Sequence, residues 1–354
     1  VGFPRPGGVS LNALGGDIAF DQKLSANNGR MQASGSVTGG GTITAGDLGV
    51  VAGGDIKLTS TGNAVVNAAL NAGGNVLFVE KDGYKLAKVD EDAEAVTSLP
   101  AGQTAKVFDG ASGVVANNGT GTAELNTTSG TVTQATDATG VIKADKLLLR
   151  GEGAYTLTNA GNDVSTLAAS TGAGTIRYTD SNDLTVGTVK AVSDSKDVVG
   201  IERTGDVALR TVNGDLKINE AIKLTGADKR LELEVTAAGK NATQADNGVI
   251  TVDKLLLRGD GNFTLTNAGN AVGTLAASTG AGDIRYVDKD GLTVGKVNAV
   301  SSSTDVVGIT RTGGVALKAL GGDIAVDQKL SANNARMQAS GSGTGGGTIT
   351  AGDL

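Results

Sequence analysis

The stretch LLLRGEGAYTLTNAGNDVSTLAASTGAGTIRY at 147–178 returns as LLLRGDGNFTLTNAGNAVGTLAASTGAGDIRY at 255–286, an offset of 108 residues. Aligning 147–218 with 255–326 leaves 49 of 72 positions identical. A second pair is closer still: GGDIAFDQKLSANNGRMQASGSVTGGGTITAGDL at 15–48 recurs at 321–354 with 31 of 34 identical. Near-identical long repeats point to an array in which each unit buries its apolar row against the next.

Inside the 108-residue unit runs a finer beat of short apolar stretches. They are LLLR at 255–258, NFTLT at 262–266, GTLAA at 273–277, DIRYV at 283–287, LTVGKV at 292–297, GVALKAL at 314–320 and DIAVDQ at 323–328. Each is strand-length, alternates with period two and is punctuated by Gly, Asn or Asp. Strands at about 8–12-residue spacing also suit an antiparallel sandwich, the structural alternative. The long repeats favour a parallel β-solenoid with coils of roughly 20 residues, about five per unit. With strands about 4.8 Å apart, the stack would run on the order of 80 Å. In Thr264-Leu265-Thr266 and Thr348-Ile349-Thr350 the middle residue is expected inward. Asn267 and Asn270 are expected at corners, where asparagine tolerates left-handed backbone and bonds its own chain.

Composition agrees with an array and excludes several functions. Of 354 residues, 56 are Gly and only 3 are Pro, the glycines follow no three-residue period, and 39% of the chain is hydrophobic, so neither collagen nor disorder fits. A formal charge of −7 without a basic run argues against nucleic acid as a partner. No apolar stretch approaches the 18 residues of a membrane helix, and the first residues do not read as a signal peptide. The absence of Cys and His removes disulfides, thiol nucleophiles, Ser-His-Asp triads and the usual zinc and copper sites, so no cofactor or metal is expected.

Four segments are expected: coils at 1–63, divergent coils at 64–140, one repeat unit at 141–248 and a second at 249–354, cut in mid-array. Because Leu354 is equivalent to Leu48, the array is expected to continue, and the chain to be a piece of a longer protein. In 64–140 the glycine beat weakens and an acidic cluster, Asp90, Glu91, Asp92 and Glu94, precedes Pro100, which suggests a protruding excursion.

The phrases LLLRGDGNFTLTNAGNAVGTLAAS, GLTVGKV and GGTITAGDLGVVAGGDIKLTS resemble the repeat regions of exoproteins of the two-partner-secretion family, the filamentous-haemagglutinin-like adhesins. The resemblance covers about three quarters of the chain. It implies a right-handed parallel β-helix and export through the outer membrane by a dedicated partner transporter. It also implies a secreted or cell-surface place, and a role in attachment, aggregation or biofilm matrix. The family's N-terminal secretion domain is not recognisable, and no residue identifies a receptor or polysaccharide ligand.

Candidate site residues are few. Arg258-Gly259-Asp260 spells a tripeptide that integrins recognise, but the sister copy reads Arg150-Gly151-Glu152, so a structural turn competes with a receptor motif. Asn118, Asn126, Asn241 and Asn262 each begin a glycosylation sequon. Asp288 and Asp290, with their counterparts Asp180, Asn182 and Asp183, could offer oxygens to calcium, but solvated turns are the expected role. The Thr-x-Thr pairs are too occasional for an ice-binding ladder. A polysaccharide-active β-helix enzyme is the rival from another class. Against it, two pairs of aromatics are equivalent by repeat (Tyr155 with Phe263, Tyr178 with Tyr286), as expected of packing positions rather than of one unique site. The expected role is therefore a structural shaft without enzymatic activity, and exposed terminal coils are expected to favour association between copies.

Overall fold

The computed structural model describes residues 3–4, 7–91, 108–170, 172–278 and 280–353. The chain divides into two compact units, Val1–Val164 with Val189–Asp197, and Ser165–Thr188 with Val198–Leu354. Both are built as parallel β-solenoid, in all about 15 turns with coils of about 21 residues. Among the described residues there is no α-helix, only two single-turn 3-10 segments, Asn117–Gly119 and Ala138–Gly140. Among the described residues no helix is long and apolar enough to cross a membrane.

Period-two alternation makes the stack. In the first unit Leu24–Ala33 pairs with Ile43–Ala52 and that with Ala64–Ala72, in registers Leu24 to Ile43 and Thr44 to Ala64. A second column aligns Val37, Ile56 and Val76, all fully buried. In the second unit Val207, Leu231, Leu255 and Leu275 stand above one another, again fully buried. Register thus places each inward Val, Ile or Leu on the same side chain position of the next coil, and burying such a side chain contributes about 1.5–3 kcal/mol. Among the described residues antiparallel pairing is confined to small hairpins outside the stack, such as Lys296–Asn298 with Asp305–Val307.

Corners are closed by short polar side chains that satisfy the neighbouring coil's amide. Asp17 accepts from Ser36 N at 2.6 Å, Ser36 Oγ from Asp55 N at 3.2 Å, Asp55 from Asn75 N at 2.8 Å, and Asn75 from Thr122 N at 2.9 Å. Asn267 and Asn270 do sit at a corner, and Asn267 accepts from Gly269 N at 2.9 Å, the local bond expected of it. Neither adopts a positive φ. Asn270 instead turns inward: it is fully buried, accepts from Ile250 N of the preceding coil at 2.9 Å and exchanges hydrogen bonds with Gln244. Leu265 is buried between half-buried Thr264 and exposed Thr266, as alternation requires.

The four repeated aromatics are all buried. Beneath Phe263 lies a buried arginine, Arg311, whose guanidinium carbon is 5.4 Å from the ring centroid. It donates to Gly282 O at 2.8 Å and Gly261 O at 2.9 Å. The repeat-equivalent Arg203 donates to Gly174 O at 2.6 Å.

Between 64 and 140 the described strands remain in the stack, with Val76 on Ala123 and Ala123 on Leu147. Two short antiparallel strands, Lys88–Val89 and Ala111–Ser112, leave it. Asp92, Glu94 and Pro100 lie outside the described residues.

Candidate functional site

In LLL at 147–149 and 255–257 a strand's alternation must point the middle leucine outward. Leu148 and Leu256 are nevertheless fully buried. What covers Leu256 is an arm, residues 295–308, that leaves the stack between Leu292–Val294 and Ile309–Thr310. Its Val297, Ala299 and Val306 form one cluster with Leu256 and Ala276. The arm's base is closed by Gly308 N donating to Gly295 O at 2.8 Å, so the coil resumes where it left off. In the sister copy Gly200 N donates to Gly187 O at 2.9 Å, and Val189 and Ala191 are buried in the first unit. A first excursion obeys the same logic with other chemistry: Val89, Phe108 and Ala111 pack on Ala69. There Gln32 donates to Asp109 at 2.7 Å and accepts from its backbone N at 2.8 Å.

Each sister arm is pinned by a buried carboxylate, which a low-dielectric site tolerates only when its oxygens are filled. Glu232, 1% exposed, accepts from Val300 N at 2.7 Å and Ser301 N at 2.8 Å through Oε2. Its Oε1 accepts from Ser301 Oγ at 2.6 Å and Arg258 Nη1 at 3.1 Å. Glu124 repeats this in the first unit, accepting from Ser193 N at 2.8 Å, Ser193 Oγ at 2.7 Å and Arg150 Nη1 at 3.3 Å. Glu124, Arg150 and Ser193 thus correspond to Glu232, Arg258 and Ser301 at the 108-residue offset. Two further arginines hold the second arm's backbone: Arg177 Nε donates to Val300 O at 2.6 Å and Arg230 Nη1 to Ala299 O at 3.4 Å.

This geometry decides what the Arg-Gly-Asp tripeptide is engaged in. Arg258 is 30% exposed and bound to Glu232 and Ser301. Gly259 has φ +91°, and a Cβ there would lie 2.1 Å from Val235 O, so only glycine fits the turn. Asp260 is exposed. The arginine and glycine kept at 150–151 and 258–259 are those of the clamp and its turn, while the position that varies, Glu152 against Asp260, belongs to neither.

Among the sequon asparagines, Asn118 is exposed in left-handed backbone (φ 51°) and Asn126 is half-buried. Asn241 and Asn262 are tied into a corner ladder. Asn262 Nδ2 donates to Asn241 Oδ1 at 3.1 Å, and the Asn241 backbone N donates to Asp215 at 2.9 Å.

The acidic loops need correction at Asp288 and Asp180, while Asp290, Asn182 and Asp183 are exposed as expected. Asp288 and Asp180 are fully buried rather than solvated. Asp288 accepts from Tyr286 Oη at 2.8 Å, Val272 N at 2.9 Å and Asp290 N at 2.9 Å. Asp180 accepts from Tyr178 Oη at 2.8 Å and Asn182 N at 2.9 Å. Burial pushes the Asp288 carboxyl above its usual range, and burial with the adjacent carboxylate pushes the Tyr286 phenol up. These acids tie off a strand end. Among the described residues no group of three or more acidic side chains is placed to hold a metal ion.

Sequence reasoning missed the clamp residues Glu124, Glu232, Ser193 and Ser301. Two signals could have found them: three consecutive leucines where alternation demands a polar residue, and the repeated DVVG at 197–200 and 305–308 that brings each arm home. No protein-family model, curated protein or solved structure matches the chain.

Proposed function

We propose that the chain is part of the structural shaft of a large secreted bacterial surface adhesin, serving attachment, aggregation or association with biofilm matrix. The supporting observation is duplication: the Glu-Arg-Ser clamps, the Tyr-Asp pairs and the buried arginines recur at the 108-residue offset. Catalysis concentrates unique groups at one place, whereas a stacked array gains reach and repeated surface by adding coils. In this reading the protein is exported through an outer-membrane partner transporter and acts at the cell surface. Its repeated faces contact host cells, matrix polysaccharide or further copies.

The test is retention of the purified chain on bacterial cells, on host cells and on immobilised matrix polysaccharide, with reducing ends assayed in parallel. Multivalent retention that strengthens with surface density, without bond cleavage, is expected. Release of reducing ends would replace this reading with a glycan-cleaving enzyme. Loss of retention in Arg258→Ala and Asp260→Ala alike would replace it with a tripeptide receptor ligand, and no retention on any surface would sink it.

A further inference from the structure

In a solenoid each coil touches only its neighbours, so stability is close to a nearest-neighbour sum and coils open one after another. The second unit departs from this. Its rungs run in order through Ile176–Asp180, Val207–Thr211, Arg230–Val235, Ile250–Arg258 and Ala271–Ser278 to the paired Leu292–Val294 and Ile309–Thr310. The arm leaves the last of these and doubles back along the outer face. It covers Ala276 and Leu256 on the two preceding rungs, clamps Glu232 on the third, and is held by Arg177 on the fifth. At about 4.8 Å per rung that reach is about 24 Å.

From this we infer that the arm is a clasp that welds the rungs of its repeat into one cooperative unit, with the Glu232 carboxylate as its catch. Opening any rung that the arm touches removes part of its seat, and releasing the arm bares Leu256 and unseats Arg258. The arm itself is preorganised for this: Lys296–Asn298 and Asp305–Val307 pair, Lys296 binds Asp305 at 2.5 Å, and Ala299 N donates to Thr304 O at 3.1 Å. The same Glu-Arg-Ser catch in the first unit makes the device a property of the repeat rather than of one coil. A nearest-neighbour array thereby acquires couplings that skip rungs, and the span of the clasp matches the repeat length.

Native-state hydrogen exchange on the intact chain, read by mass spectrometry, tests the clasp with Glu232→Gln and Ser301→Ala. Exchange is expected to rise about tenfold or more together in 295–308, 230–235 and 254–258, and the urea-unfolding slope to fall as cooperativity is lost. Strands of the first unit such as 43–52 stay at their wild-type rates, and a far-ultraviolet circular dichroism spectrum unchanged from wild type certifies that the second unit of each variant folds. A rise confined to 295–308, or no rise in either variant, would overturn the proposal, because the arm would then be a passive ornament. The milder Ser301→Ala keeps the carboxylate and decides the matter should Glu232→Gln unfold the unit.

Discussion

Gly313 and Gly314 are adjacent, yet the fold asks opposite things of them. A Cβ on Gly313 would lie 2.4 Å from Ala281 O and 2.5 Å from Gly282 O, both backbone atoms that cannot rotate away. Restoring ordinary contact needs a shift of about 1 Å, which would carry Gly282 O out of reach of Arg311 Nε, now at 2.8 Å. Overpacking of this kind costs about 1–3 kcal/mol and a lost hydrogen bond to a buried charged group about 1.5–3 kcal/mol, so Gly313→Ala should destabilise by about 3–5 kcal/mol. At Gly314 the nearest atom is the Asp283 carboxylate oxygen at 3.3 Å, the end of a side chain, and the sister copy carries Asp206 at this place. Gly314→Ala should therefore be neutral or stabilise by up to about 1 kcal/mol through the unfolded chain. Urea unfolding followed by circular dichroism measures both. With a slope of about 3 kcal/mol per molar, the Gly313→Ala midpoint should fall by about 1 M or more. Two variants within about 0.5 kcal/mol of each other would refute the close-approach argument and with it the seating of Arg311.

Two further outcomes follow from the buried groups. Leu256→Ala should cost about 2–4 kcal/mol although alternation points the residue outward, whereas Val307→Ala, 48% exposed, should stay within about 0.5 kcal/mol; equal effects in thermal unfolding would mean that the arm does not cover Leu256. Asp288 has a folded-state pKa raised by burial, so between about pH 4 and that raised value the folded state binds more protons than the unfolded state, and stability falls as pH rises through this window. Asp288→Asn removes that contribution, so the wild-type minus variant difference should change across the window and level off above it; a difference constant with pH would show that the buried carboxyl is not the source.

Much of the architecture was legible in local pattern. Period-two runs such as NFTLT at 262–266, returning in long near-identical repeats, were enough for a parallel solenoid, for coils near 20 residues, and for reading Tyr155, Phe263, Tyr178 and Tyr286 as packing positions. The candidate site was legible only as residue names. Arg258 stood out for the tripeptide it begins, while its partner Glu232 and the serine that completes the clamp lie 26 and 43 residues away in the chain.

What the sequence by itself determined is the alternation of inward and outward side chains and the repeat that stacks them. Both arise from the strand's own geometry and from identity between neighbouring coils, and neither needs distant information. Only the tertiary structure decided which outward positions meet water. Leu256 and Glu232 face outward in their strands and become buried because a segment downstream folds back over them, and Asp288 becomes a strand tie because a tyrosine and two amides converge on it. Burial of an outward face is a property of what arrives on it, and a strand's own residues carry that only as a breach of their alternation.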